Sequence, residues 1–345
     1  MRDLASLPKA ELHLHLEGSM RRDTLVELCK KHKVSVPQDT RNQRFDNFDA
    51  FVAVYLAACE CLREESDLYR LVLEVAKDAA ASGARWIEPA LSQSLYNQRF
   101  GGAEEALRLL CRAAEEAEKT TGVGIGYIVS AERMLPVVEA EELAKIVKKA
   151  RSDDSMTICG RPGIIAFGLH GPEEGFPCGP FSKAFNIACE GTGIISVPHA
   201  GEIAPHPGEG PQSVRDANRL LKADRIGHGV LAAADDELLQ ELIDSNTCLD
   251  ICVSSNYLLK VVPSREAHPL PDICQRGVIC SINSDDSLLF GSSLLSEFEI
   301  CRSGLMMDDI VLAKLAKNSF RFSCAPKAVV DKGMADIDLW LRKGL

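Results

Sequence analysis

Ala10-Glu11-Leu12-His13-Leu14-His15-Leu16-Glu17-Gly18 reads as an apolar strand that ends in two imidazoles. Side chains i and i+2 of a strand share a face, so His13 and His15 point the same way, close enough to share one cation. Alone, such a pair is more often two ordinary polar residues on a strand. The other histidines change that reading. His199 closes Val197-Pro198-His199-Ala200-Gly201-Glu202, and His228 closes Arg225-Ile226-Gly227-His228-Gly229-Val230. The acidic counterpart is Ser281-Ile282-Asn283-Ser284-Asp285-Asp286, a β-rich run ending in two carboxylates. His170 also falls at the end of a strand pattern, whereas His32, His206 and His268 occupy loop or helical contexts and are expected in solvent.

Working outward from these motifs, short apolar strands alternate with amphipathic helices along the chain. The strand patterns are Glu11–Leu16, Trp86–Leu91, Gly124–Val129, Ile164–Leu169, Gly193–His199, Arg225–Gly229, Cys248–Cys252 and Val278–Asn283. Helical patterns lie between them, at Arg22–Lys31, Glu65–Ser82, Ala103–Thr120, Glu139–Arg151, Pro180–Glu190, Val214–Leu221 and Asp235–Asp244. Repeated βα units with strands this apolar imply a parallel sheet covered by helices. Pattern alone allows an open doubly wound sheet or a closed barrel. The chemistry favours closure, because active groups of a (β/α)8 barrel gather at the C-terminal ends of its strands. His13 and His15 end the first strand and Asp285 follows the eighth, so they meet only if strand eight lies beside strand one. The expected fold is therefore an α/β (β/α)8 TIM barrel, with extra helices after strand one and at the C-terminus.

No linker interrupts the pattern, and residues 1–345 are read as a single barrel domain. The Gly/Pro-rich stretches Gly171–Pro180 and His206–Gln212 are short and read as βα loops. The insertion Gln38–Cys61 carries an apolar stripe, Phe45, Phe48, Phe51, Val52 and Tyr55, that either covers the barrel mouth or packs as ordinary core. Beyond residue 305, two helical segments are expected to close the base or flank.

A net charge of −11 argues against nucleic acid or anionic membrane as a partner. No apolar run approaches the length of a membrane span, and Met1-Arg2-Asp3-Leu4-Ala5 lacks the apolar segment of a signal peptide, so a cytoplasmic location is expected. The 13 cysteines are odd in number, contain no C-x-x-C pair and mostly sit in apolar segments such as Cys59, Cys111, Cys189, Cys248, Cys252 and Cys280. They read as buried free thiols, and none is assigned a ligand role.

Three neutral imidazoles and one carboxylate suit Zn²⁺ with a position open to water, and such a cation makes water a nucleophile near neutral pH. Hydrolysis of an amino-substituted heterocycle also needs a proton donor near the ring nitrogen and a group that orients the nucleophile. Glu202, in the turn leaving strand five, is placed for the first task, and His228 and Asp286 for the second.

At this point the chain resembles the adenosine/adenine deaminase branch of the amidohydrolase superfamily. The resemblance rests on His13-Leu14-His15, His199-Ala200-Gly201-Glu202, Arg225-Ile226-Gly227-His228-Gly229 and Ser284-Asp285-Asp286, in the family's order, and runs from Leu7 to Asn318. The lead-in Leu7-Pro8-Lys9-Ala10-Glu11-Leu12 and the later Ser254-Ser255-Asn256 are similar too. The resemblance implies one Zn²⁺ per chain, held by His13, His15, His199 and Asp285. It implies that Glu202 protonates purine N1 while water attacks C6, that His228 and Asp286 orient the attacking hydroxide, and that Asp286 also faces N7. Gly171 matches the glycine whose N–H contacts N3. The expected partner is a small purine, with monomer and homo-oligomer both open.

The departures concern substrate. Glu17 stands where many adenosine deaminases carry aspartate for the ribose 5′-hydroxyl; the longer side chain would crowd that hydroxyl or reach another group. Gly168-Leu169-His170-Gly171-Pro172-Glu173 lacks the aspartates of the adenosine-type loop, and His170 is placed to face the variable part of the ligand. Adenosine or deoxyadenosine is the first substrate expectation, with adenine and a 5′-modified adenosine such as 6-aminodeoxyfutalosine as alternatives. Binuclear relatives need a bridging residue at the end of strand four, and Phe167-Gly168-Leu169-His170 holds no lysine, which favours one metal. A catalytically inactive purine-binding protein would show lost ligands, and every ligand position is filled.

Overall fold

The computed structural model describes residues 1–45, 48–204, 206 and 208–343, the side chains of Phe48 and Asp49 excepted. Pro207 and the Phe48 side chain, both within segments read above, lie outside the described residues. Eight strands form the barrel: β1 (Lys9–His15), β2 (Ala84–Leu91), β3 (Tyr127–Glu132), β4 (Ile164–His170), β5 (Ile195–Ala200), β6 (Arg225–His228), β7 (Cys248–Ile251) and β8 (Ile279–Ile282). Each pairs in parallel with the next along the chain. Closure comes at the motif that opened the sequence. Leu14 bridges Asp285, His15 N donates to the Asp285 carbonyl (3.1 Å), and Asp285 N donates to the His13 carbonyl (3.2 Å). The Asn283 side chain accepts from the N–H groups of Leu12 (2.8 Å) and His13 (3.1 Å), fixing strand eight against strand one.

Helices α1 (Arg22–His32), α2 (Phe48–Glu60), α3 (Glu65–Ala81), α4 (Ala103–Thr121), α5 (Val137–Ala150), α6 (Ser182–Cys189), α7 (Glu209–Leu220) and α8 (Asp236–Asp244) follow the expected pattern, and Asp309–Arg321 and Lys327–Arg342 provide the two late helices. Helix α7 starts well before the expected Val214. Its Pro211 lies in the first turn, where a missing N–H forfeits no intrahelical bond. The third strand differs more. A two-residue piece, Gly124–Ile125, pairs with β2, and the strand then continues through Glu132 rather than stopping at Val129. Gly126 lies between the two pieces, where a Cβ would stand 3.0 Å or less from Trp86 and Ile165.

The lower barrel interior is polar but satisfied. Fully buried Arg225 donates to Glu88 (2.6 Å), Asp250 (2.9 Å) and the Phe322 carbonyl (2.7 Å). Lys9 Nζ donates to the carbonyls of Leu4, Leu7 and Ser82, and its burial lowers its pKa to about 7. Of the histidines expected in solvent, only His206 is exposed. His32 Nε2 lies 2.8 Å from Asp67, and buried His268 bonds Asn256 Oδ1 (3.0 Å) and accepts from Leu270 N (3.1 Å). Sequence context hid both because their partners come from other elements or the next turn. All cysteines are free and most are buried; Cys189 is only partly covered. Among the described residues no helix is long and apolar enough to cross a membrane.

Candidate active site

The strand ends put the motif residues around one point at the C-terminal mouth. His15 Nε2 lies 3.2 Å from His199 Nε2, and Asp285 Oδ1 lies 3.3 Å from His13 Nε2 and 3.4 Å from His15 Nε2. Ligands on a tetrahedral cation at about 2.0–2.1 Å sit about 3.3 Å from one another. The buried atoms His13 Nε2 and Asp285 Oδ1 have no hydrogen-bond partner, although buried polar atoms normally find one. Three imidazole nitrogens and a carboxylate at this spacing fit a divalent cation such as zinc.

The electrostatics agree. Burial alone would lower the His15 pKa, but Asp286 and Asp285 outweigh it and raise it to about 10. Burial pushes Asp285 up, yet the close imidazoles of His13 and His15 hold it well below the usual carboxylate range. His199 is driven well below 6.5 by burial and by the other imidazoles, and burial takes His228 to about 3. The carboxylates thus call for positive charge while burial disfavours it on His199 and His228, a combination that one bound cation satisfies. Cys252 Sγ is also within 4.8 Å of ligand atoms of His13, His228 and Asp285. Burial raises its thiol pKa well above 9 and it points to the Asp250 carbonyl (3.8 Å), so it stays outside the ligand set.

The backbone carries strain where the chemistry gathers. His228 and Asp285 have φ values of 63° and 62°, a region that non-glycine residues rarely occupy. Small residues make the necessary room. A Cβ on Gly18 would fall 1.6 Å from Asp286 Oδ1, and one on Gly227 would fall 2.7 Å from His13 Cε1.

Beside the cluster, Glu202 Oε1 lies 3.5 Å from His228 Nε2. Burial, then the charges of Asp285 and Glu173, push the Glu202 pKa well above the usual range. Burial and the neighbouring Asp285 push Asp286 up as well. Glu173 holds the turn that presents Glu202: its carboxylate accepts from the N–H groups of Gly201 (2.8 Å), Glu202 (2.7 Å) and Ile203 (3.2 Å) and from Ser213. Arg133 braces the same wall, donating to the carbonyls of His199 (2.7 Å) and Phe176 (2.6 Å). Neither Glu173 nor Arg133 was assigned a role from sequence, since each acts through backbone atoms of a different loop.

A cavity open to solvent starts at this cluster. His15, Gly171, His199, Glu202, His228 and both aspartates line it. Helix α2 forms part of the opposite wall through Phe51, Val52, Tyr55 and Leu56, while Phe45 packs edge-on against Phe51 and Phe290. The apolar stripe thus both lines the mouth and packs core. Glu17 is placed differently from the other site residues: it is fully buried and does not line this cavity. Its two oxygens accept from Tyr55 Oη (2.8 Å) and Tyr96 Oη (2.7 Å). His170, one residue before Gly171, does line it, with Nδ1 3.2 Å from Ser92 Oγ and a pKa driven well below 6.5 by burial. Ser92, Glu132, Met134 and Leu135 complete the wall and went unread in the sequence. Extending the third apolar run past Ser130-Ala131 would have brought Glu132 to a strand end like the others.

A parallel (β/α)8 barrel with this ligand set at its C-terminal mouth defines a metal-dependent hydrolase. The adenosine deaminase family profile matches residues 8–338. A Streptomyces coelicolor protein described provisionally as an adenosine/adenine deaminase is 37% identical, over 99% of this chain and 98% of its own. An aminodeoxyfutalosine deaminase of Streptomyces avermitilis is 35% identical, over 98% and 92%. The crystal structure of an adenine deaminase from Arthrobacter aurescens superposes with a TM-score of 0.86 at 26% identity, covering 97% of this chain and 99% of that one. The chain belongs to the adenosine deaminase family, hydrolases that act on C–N bonds.

Proposed function

We propose that this protein hydrolytically deaminates a 6-aminopurine, with adenosine or deoxyadenosine as first substrate and inosine or deoxyinosine plus ammonia as products. The observation that carries the reading is Glu202, its pKa raised by burial, facing His228 at 3.5 Å beside the ligand cluster, because attack at C6 needs an acid at N1. His13, His15, His199 and Asp285 would hold the metal. A divalent cation bound there supplies the Lewis acidity that makes water nucleophilic near neutral pH. Glu202 donates its proton to N1, so that the ring can accept electrons as the C6–O bond forms. His228 and Asp286 orient the incoming oxygen and take up one of its protons, which passes to the 6-amino nitrogen; the C6–N bond then breaks, ammonia leaves, and the remaining hydroxyl proton restores Glu202 as the ring becomes 6-oxo. Gly171 has φ +95°, an open conformation that lets a backbone N–H approach purine N3 without a side chain in the way.

A second reading, a 5′-modified adenosine, draws on the outer cavity. Leu56, Leu95, Met134 and Leu135 line it and are exposed, which suits an apolar substituent. The names of the relatives span adenine and aminodeoxyfutalosine deaminases, in keeping with a purine core and a variable remainder. An absorbance assay of metal-loaded protein with adenosine, adenine, 5′-methylthioadenosine and 6-aminodeoxyfutalosine tests the proposal. Loss of the 6-aminopurine band is expected. No turnover of any of them, with one metal bound per chain, would remove the purine reading and leave the metal site.

Glu17 bears on the choice among them. Replacing it by the shorter Asp should free one tyrosine hydroxyl, at a cost of about 1–3 kcal/mol for the buried group left unpaired. Because the Tyr55 that Glu17 holds lines the cavity, the replacement should also raise the ratio of kcat/KM for adenosine to that for adenine. An unchanged ratio takes Glu17 out of substrate selection.

A further inference from the structure

Glu17, the position that the family resemblance ties to the sugar, is sealed behind Tyr55 and Tyr96 and does not line the cavity. Recognition of a sugar therefore has to come from elsewhere on the wall. Four acidic residues line the cavity among the described residues: Glu132, Glu202, Asp285 and Asp286. The last three surround the reacting centre. Glu132 does not; it ends β3, where the strand register pairs it with His170, the residue before Gly171. Its Oε1 is buried without a hydrogen-bond partner. The neighbouring hydroxyls are already engaged with each other and with His170, since Tyr55 Oη lies 3.1 Å from Ser92 Oγ and Ser92 Oγ 3.2 Å from His170 Nδ1.

A second cavity begins at the same spot and shares Glu132 and Leu135 with the first. Along it Ser94 Oγ, Asn97 Oδ1 and Ser130 Oγ are also buried without partners. A seam of unpaired polar atoms on the far side of the purine site calls for a hydrogen-bonding ligand group.

We propose that Glu132 is the specificity-determining residue for the sugar, accepting hydrogen bonds from the vicinal 2′- and 3′-hydroxyls of a ribonucleoside. This rests on the deaminase reading above. A purine with N1 toward Glu202 and N3 toward Gly171 directs N9 away from the ligand cluster, past His170 and toward the end of β3. A carboxyl group with two acceptor oxygens matches the two adjacent O–H donors of ribose, and neither Ser92 nor His170 offers a second free acceptor of that kind. No bond of the substrate is made or broken there.

The test compares adenosine with 2′,3′-dideoxyadenosine, which keeps the purine and the 5′-hydroxyl but lacks the diol. Wild type is expected to favour adenosine by about 10- to 100-fold in kcat/KM, mainly through KM, the range that hydrogen bonds to a charged group give. Glu132→Gln, which keeps one acceptor oxygen, should retain part of that preference, and Glu132→Leu should bring the ratio close to one. Bound metal should stay near wild type in both variants, and the loss should fall on adenosine far more than on the dideoxynucleoside, which separates a lost contact from a damaged fold. A wild-type ratio near one overturns the assignment, as does a ratio that survives Glu132→Leu or an equal loss on both nucleosides. Absence of turnover on every 6-aminopurine would instead remove the deaminase reading, and this assignment with it.

Discussion

Glu202→Gln is expected to keep its metal and lose turnover by about 10²- to 10⁴-fold, the range of a lost general acid–base. The substitution is nearly isosteric. Glu173 holds the backbone of residues 201–203 through three N–H groups, so the loop should not move. What changes is the proton. Burial and the nearby Asp285 and Glu173 raise the Glu202 pKa, which favours the acid form that the proposed proton transfer to a ring nitrogen requires. An amide N–H can still hydrogen-bond but cannot transfer its proton, so the loss should appear in kcat more than in KM. Metal content by elemental analysis and kinetics on the same preparation decide the matter. Near wild-type rates with metal present would end the acid role.

His13→Ala is expected to reduce metal affinity by at least about 100-fold, since even residues supporting a ligand cost 10- to 100-fold. His13 is buried, its Nε2 has no hydrogen-bond partner, and it faces Asp285 Oδ1 at 3.3 Å. Removing it leaves two imidazoles and a carboxylate, one ligand fewer than the four atoms that converge here. Because a bound metal stabilises the folded state by mass action, a chelator should lower Tm in wild type and leave the variant nearly unchanged. One equivalent of metal retained at wild-type affinity would show that the ligand set is wrong. Activity is not needed for this readout, so it stands apart from any choice of substrate.

The residues at the reacting centre were legible because they are tied to strand ends. His13, His15, His199, His228 and Asp285 each lie at or just past the C-terminal end of an apolar run, and period-two alternation fixes which way such side chains point. The substrate wall was much less legible. Glu132 was hidden by a strand judged to stop at Val129, because Ser130 and Glu132 break the apolar run that marks a strand. Ser92 and Tyr96 lie in short turns without periodicity. Glu17 was assigned toward the ligand by its neighbours in sequence, yet its carboxylate is captured by Tyr55 from α2 and Tyr96 from the loop after β2.

The sequence by itself determined the eight βα units and the closure that brings Asp285 to His13, and it marked the residues proposed to hold a metal. Those follow from local periodicity and from residue types whose chemistry admits few uses. Only the tertiary structure decided which carboxylates face the cavity, what holds the Glu202 loop, and which wall is apolar. Side chains from loops far apart in the chain set those features, and their approach depends on packing that no spacing along one segment records.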